Sequence, residues 1–152
     1  MRALALAVPA ATVTLTDTVA TALRILADHR LPGLVVTDDK RRPRAVLPGT
    51  QALRMGIGQE YQEDAALARV VDEASADIFA QTPAHRLIGE CLPPRPEIRA
   101  VVSGDATLLE VACLMARTHS PLVAVVDDDG AMTGVITLAM VLERLGTRAT
   151  AA

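Results

Sequence analysis

Three histidines, two cysteines and a few charged runs are the side chains with chemistry to offer, and their spacing decides how much of it is usable. His29, His85 and His119 stand far apart and beside no recognisable Ser or Cys nucleophile motif, so a nucleophile–base pair has no support in the sequence. Cys91 and Cys113 form neither a C-x-x-C motif nor a Cys/His cluster. Zinc and dithiol chemistry are therefore not expected, and both cysteines read as reduced, buried thiols. Asp127-Asp128-Asp129 lacks the spaced ligands of a calcium loop and reads as a turn. Gly56-Ile57-Gly58 continues into Gln59-Glu60-Tyr61 where a dinucleotide loop would place its third glycine. Arg41-Arg42-Pro43-Arg44 could reach an anion, but a solvated hairpin tip explains it as well. The expectation is a protein that binds and regulates, with no catalytic residues and no metal.

Elements that would position such groups come in two copies. Leu34-Val35-Val36-Thr37-Asp38-Asp39 and Val123-Ala124-Val125-Val126-Asp127-Asp128 are strand-like runs 89 positions apart. The same offset matches Val13 to Val102, Thr18 to Thr107, Pro32 to Pro121, Val46 to Val135 and Leu53 to Leu142. Each copy predicts a short strand (12–15; 100–103), then a helix whose start is marked by Asp17-Thr18 or by Asp105 and Thr107, which can cap free amides. Apolar residues at helical spacing follow: Val19, Ala22, Leu23 and Leu26, and then Leu108, Val111, Ala112 and Met115. Pro32 and Pro121 end these helices and begin buried strands. Asp-rich turns, third strands (44–47; 132–137) and closing helices (50–55; 138–145) complete a β-α-β-β-α order, twice. Repeat 1 is assigned to residues 10–57 and repeat 2 to residues 99–146. Residues 58–98 between them repeat nothing else and predict a helical insert with a proline-rich linker. The insert's amphipathic helix is expected over 64–81, with Leu67, Val70, Ile78 and Phe79 on its apolar face, and a short helical turn over 85–91.

The ordered set Asp105-Ala106-Thr107-Leu108, Met115, Pro121-Leu122-Val123-Ala124-Val125-Val126-Asp127 and Gly134-Val135-Ile136-Thr137 resembles the CBS-domain family in its tandem form, the CBS pair or Bateman module. The resemblance implies an α/β fold in which two repeats pack with pseudo-twofold symmetry around clefts that often hold AMP, ADP, ATP or S-adenosylmethionine. It also implies a homodimer through the repeats and, with no catalytic domain beside them, a separate effector protein. No cofactor is required. In the family a Thr or Ser after the third strand contacts phosphate or ribose, and an Asp three residues later holds the ribose hydroxyls. Here Thr137 is kept, but Met140 stands at the Asp position, and repeat 1 has Pro48 and Gln51. Before the second strand, His29-Arg30-Leu31-Pro32 resembles the His-Arg that meets phosphate in the kinase-gamma type of module, and a guanidinium suits phosphate oxygens. Equally, His and Arg in a last turn suit the negative end of a helix. The resemblance thus makes Val13, His29, Arg30, Pro32, Gln51, Val102, His119, Pro121 and Thr137 the candidate ligand contacts. The absent carboxylates support the alternative, a ligand-free dimerisation or protein-interaction module with degenerate sites.

Composition narrows the partners. Half the chain is apolar (51%), but aromatics are 1%, namely Tyr61 and Phe79, too few for a base-stacking platform. The net charge is −3 with no basic arm, so no nucleic acid is expected. Lys40 is the one Lys among fifteen basic residues; this bias, with abundant Ala and Val, fits a GC-rich bacterial genome. The apolar start breaks at Pro9, short of the roughly 7–15 residues of a secretory core, and reads as part of the fold. No run approaches the roughly 20 apolar residues of a membrane span. A cytoplasmic location without membrane insertion is the expectation.

Overall fold

The computed structural model describes residues 1–70, 85–93 and 100–150. A single helical turn, α1 (Ala3–Leu6), precedes strand β1 (Thr12–Val13), helix α2 (Val19–His29), strands β2 (Gly33–Thr37) and β3 (Pro43–Pro48), and helix α3 (Gly49–Gly56). Helices α4 (Gln59–Glu63), α5 (Ala65–Val70) and α6 (Ile88–Cys91) lie between the repeats. Strand β4 (Val101–Ser103), helix α7 (Leu108–Thr118), strands β5 (Leu122–Val126) and β6 (Met132–Thr137), and helix α8 (Leu138–Thr150) complete the chain. The two sheets have orders β1-β2-β3 and β4-β5-β6. In each, the first pair is parallel and the second antiparallel, as a strand–helix–strand crossover followed by a hairpin requires.

The local reasons are the same in both halves. Thr18 Oγ1 accepts from Thr21 N at 3.2 Å, and Thr107 Oγ1 from Glu110 N at 3.2 Å. In repeat 2 Glu110 reaches back to Thr107 N at 2.6 Å, which closes a capping box and holds the Glu110 carboxyl below its ordinary range. At the hairpins, Asp38 Oδ1 accepts from the amides of Lys40 and Arg42, and Asp127 Oδ1 from those of Asp129 and Ala131. The acidic run is therefore a turn built around Asp127. The amide of Arg42, with that of Lys40, holds Asp38 below its ordinary value. Strand β1 stops two residues short of the expected end because Asp17 Oδ2 takes Thr14 N at 2.8 Å and turns the backbone away.

Among the described residues, three apolar clusters hold the molecule together. One fills repeat 1 around Val13, Val36 and Leu47, and one fills repeat 2 around Val111, Val125 and Ile136. The third lies between the sheets and joins Val35 to Leu122, Ala124, Met132 and Val135. The hairpin of repeat 1 also reaches across, with Met132 N donating to Arg41 O at 2.9 Å.

The insert adds an element to its expected form: α4 precedes Asp64, whose backbone is extended (φ −132°, ψ 100°), and α5 then begins where the insert helix is expected. The expected continuation through Val71, Ala74, Ile78 and Phe79, and the linker prolines Pro94 and Pro96, lie outside the described residues.

More consequential is α6, in a segment expected to repeat nothing. Ile88 N donates to Asp17 O at 2.9 Å, Gly89 N to Leu15 O at 2.8 Å, and Leu87 bridges Thr18. The start of the chain does the same to repeat 2. Ala3 N donates to Ala106 O at 2.8 Å, Leu4 N to Gly104 O at 2.8 Å, and Arg2 bridges Thr107. Each repeat is thus closed by the turn of helix that precedes the other one, and Ala3 and Ile88 are counterparts. Cys91 is half-buried in α6, while Cys113 is exposed. It lies two residues from both Val111 and Met115 and so on the outer face of α7, which corrects the expectation of a buried thiol.

Candidate functional site

In both repeats the turn into the closing helix is pinned beside the proline that follows the first helix. Gly49 N donates to Pro32 O at 2.9 Å, and Leu138 N to Pro121 O at 2.8 Å. What those turns then offer is different. In repeat 2, Thr137 Oγ1 accepts from Met140 N at 3.4 Å, so the hydroxyl serves as the cap of its own helix, and Met140 packs against the core. In repeat 1, Pro48 has no hydroxyl, and Gln51 is exposed at the wall of an open cavity of about 920 Å³. That volume lies in the range of small-molecule sites, roughly 300–1,000 Å³.

Three elements enclose the cavity. Helix α3 supplies Gln51 and Arg54, α4 supplies Gln62, and the α6 region supplies Arg86 and Glu90. Gln62 is a brace: its Nε2 donates to the carbonyls of Arg54 and Ile57, both at 2.9 Å, and its Oε1 accepts from Arg54 Nε at 3.3 Å. Glu90 Oε2 accepts from Leu87 N at 3.3 Å. Two guanidiniums and one engaged carboxylate leave the cavity positive, and the amide of Gln51 can both donate and accept.

Most other candidate contacts lie elsewhere. Val13 is 0% exposed in the core of repeat 1, so its side chain meets no solvent. Val102 is half-buried against the core of repeat 2. His29, Arg30 and Pro32 are exposed, and none lines the cavity at Gln51. His119 and Pro121 border a second concavity, an apolar groove of about 450 Å³ between α7 and α8, rimmed by Leu138, Leu142 and Leu145. The counterpart of Leu145 is Gly56. A Cβ there would stand 2.8 Å from Leu23 Cδ1, so the glycine lets α3 close against α2 where Leu145 leaves a groove.

Arg30 and His119 are counterparts too, and both end their helices in the left-handed region, at φ 50° and 54°. Leu31 N then reaches Leu26 O at 3.1 Å, and Ser120 N reaches Met115 O at 3.3 Å, the bond pattern that closes a helix through a left-handed residue. A side chain at such a position costs about 1 kcal/mol relative to glycine. Arg30→Gly is therefore expected to raise Tm by about 2–4 °C in calorimetry. A fall would mean that the Arg30 side chain makes a stabilising contact of its own.

The sequence pointed to Gln51 but missed Arg54, Gln62 and Arg86. Arg54 follows Gln51 by three residues and so shares its helix face, a signal that was available. Gln62 and Arg86 come from the insert, where no repeat register points to them.

The CBS-domain family model matches residues 6–49 and 93–147, about two thirds of the chain. The chain is a tandem CBS-domain protein. Among solved structures, a CBS domain-containing protein of unknown function from Kribbella flavida is 40% identical, with 96% of this chain and 99% of that chain covered and a TM-score of 0.77. CBSX2 in complex with AMP is 21% identical over 97% of each chain, with a TM-score of 0.68. CBSX2 from Arabidopsis thaliana is 19% identical, covering 99% of this chain and 97% of that one, with a TM-score of 0.71. The last two show a shared fold. No curated protein shows a significant match. Among the described residues of this CBS pair, no helix is long and apolar enough to cross a membrane, and no group of three or more His, Cys, Asp and Glu could hold a metal ion.

Proposed function

We propose that this CBS pair is a regulatory module that binds an adenosine nucleotide in the cavity of repeat 1 and signals its occupancy to a separate effector protein. The observation that carries this reading is Gln51. It stands in the wall of a ligand-sized cavity, at the position where the family resemblance places the ribose-binding carboxylate. An amide can still bond ribose hydroxyls, whereas Met140 in repeat 2 cannot, so one of two equivalent clefts keeps the chemistry. AMP in the complex of the structurally similar CBSX2 supports the choice of ligand class. The module is regulatory rather than catalytic, acts in the cytoplasm and works as a homodimer. Occupancy is transmitted because a ligand shifts a protein between two arrangements only when it binds them unequally. The test is thermal unfolding with AMP, ADP, ATP and S-adenosylmethionine. The wild type is expected to show a saturable rise in Tm with at least one of them. Gln51→Leu is expected to need about five- to tenfold more ligand for the same rise. No shift with any of the four would reject the reading.

A second reading rests on a separate observation. Leu53 and its counterpart Leu142 are 50% and 58% exposed, and Leu138 and Leu145 rim the apolar groove. Apolar surface of this kind suits a module that works by self-association or docking alone. That reading would be preferred if the nucleotides leave Tm unchanged.

A further inference from the structure

We infer that the cavity of repeat 1 is an oxyanion site, in which Arg54 and Arg86 hold the phosphate of the bound ligand. The inference deepens the proposed nucleotide reading and rests on it for the identity of the ligand, but its chemistry stands on residues outside the repeats' shared pattern. Arg54 is an exposed arginine held at its Nε and its carbonyl by one neighbour. Gln62 spends both amide hydrogens on the carbonyls of Arg54 and Ile57 and turns its remaining oxygen to Arg54 Nε. This fixes one edge of the guanidinium and leaves its two terminal nitrogens for a ligand. A fork held in place in advance loses less freedom when it closes on phosphate oxygens.

Arg86 approaches from another element. Its Nη2 makes one long contact, 3.5 Å, to Glu90 O, and among the described residues neither guanidinium is in ion-pair contact with a carboxylate. Two guanidiniums and the Glu90 carboxylate on the wall of one 920 Å³ cavity leave a net positive charge that a phosphate compensates. Gln51 lies one turn before Arg54 on the same helix, so a ligand with its phosphate between the arginines can present hydroxyls to Gln51. Because Arg86 immediately precedes Leu87, which bridges Thr18, phosphate binding would tie α3 and the insert to the segment that closes repeat 1.

The test compares AMP, adenosine and pyrophosphate by calorimetric titration of the wild type, Arg54→Ala, Arg86→Ala, the conservative Arg54→Lys, and Gln62→Leu. AMP is expected to bind the wild type at least tenfold more tightly than adenosine. Each alanine variant is expected to lose about tenfold for AMP while its adenosine affinity holds. Arg54→Lys should retain part of the gain, and Gln62→Leu should lose less than Arg54→Ala. The Arg54 and Arg86 substitutions are on exposed side chains, so Tm of those free proteins should change little, whereas Gln62→Leu should lower it modestly through the lost carbonyl contacts. Equal binding of AMP and adenosine, or AMP affinity unmoved in both alanine variants, would overturn the oxyanion site and leave the nucleotide reading standing. If adenosine, AMP, ADP, ATP and S-adenosylmethionine all fail to bind but pyrophosphate does, with a tenfold loss in Arg54→Ala, the nucleotide reading falls and the oxyanion site stands. Failure of pyrophosphate as well would overturn both.

Discussion

Ile88→Ala is expected to destabilise the protein by about 2–5 kcal/mol, the cost of removing a large aliphatic side chain from a closed core. The residue is 0% exposed and belongs to the core of repeat 1, with Val13, Leu47 and the rest of that cluster. What makes the prediction informative is its place in the chain. Ile88 precedes repeat 2, and by sequence it would be grouped with the linker, where alanine is nearly harmless. Its amide also bonds Asp17 O at 2.9 Å, so the substitution leaves the backbone docking intact and tests packing alone. The counterpart position already holds a small residue, Ala3, also 0% exposed. At this position repeat 1 buries the larger side chain, whereas one turn on, α1 buries Leu6 where α6 has the half-buried Cys91. Urea unfolding followed by circular dichroism would measure it as a fall in midpoint at constant slope. A change below about 0.5 kcal/mol would mean that α6 is not part of the core.

Gly33→Val is expected to cost about 3 kcal/mol or more, at the upper end of overpacking. A Cβ built at Gly33 would stand 2.4 Å from Leu122 Cδ2, 2.6 Å from Leu47 O and 3.2 Å from Pro48 Cα. Gly33 and Leu122 are counterparts at the 89-residue offset and touch each other. This is what a position beside a pseudo-twofold axis must do: each copy meets itself, so a large residue in one requires a small one in the other. The contact with Leu122 is with the end of a flexible side chain, but those with Leu47 and Pro48 are with the neighbouring strand. Leu122→Ala in the Gly33→Val background should therefore recover part of the loss and not all of it, measured as a coupling in a double-mutant cycle. Full additivity of the two substitutions would show that the residues do not meet.

These two positions mark where the sequence was readable and where it was not. Local order was legible because each signal acts over a few residues: Thr18 and Thr107 cap their helices, Pro32 and Pro121 end them, and Asp38 and Asp127 fold their own turns. The 89-residue register then placed Gln51 opposite Met140. The exchange of closing turns was not legible. Between Leu6 and Ala11 there are four residues, and between Cys91 and Ala100 there are eight, so the offset falls from 89 to 85 and the match disappears from a gapless comparison. Nor does any periodicity say that a turn of helix docks on the other repeat. The cavity wall was hidden for a related reason. Arg54 lay within reach of helical spacing, but Gln62 and Arg86 are brought to it by the insert, which has no counterpart to compare. The terminal positions Arg30 and His119, chosen for their chemistry, also make the left-handed exit from a helix, which their residue types do not announce.

The difference between the two clefts gives the most direct test. Repeat 1 presents a positive cavity with Gln51 in its wall, while repeat 2 presents Met140, a side chain without a ribose-bonding group, beside a Thr137 hydroxyl that accepts from its own helix. Calorimetric titration of the wild-type protein with AMP should therefore give saturable binding with one nucleotide per chain. Two nucleotides per chain would contradict the account by showing that repeat 2 binds without the amide or carboxylate held to be needed. No saturable binding would contradict it by showing that Gln51 and its cavity do not receive the nucleotide.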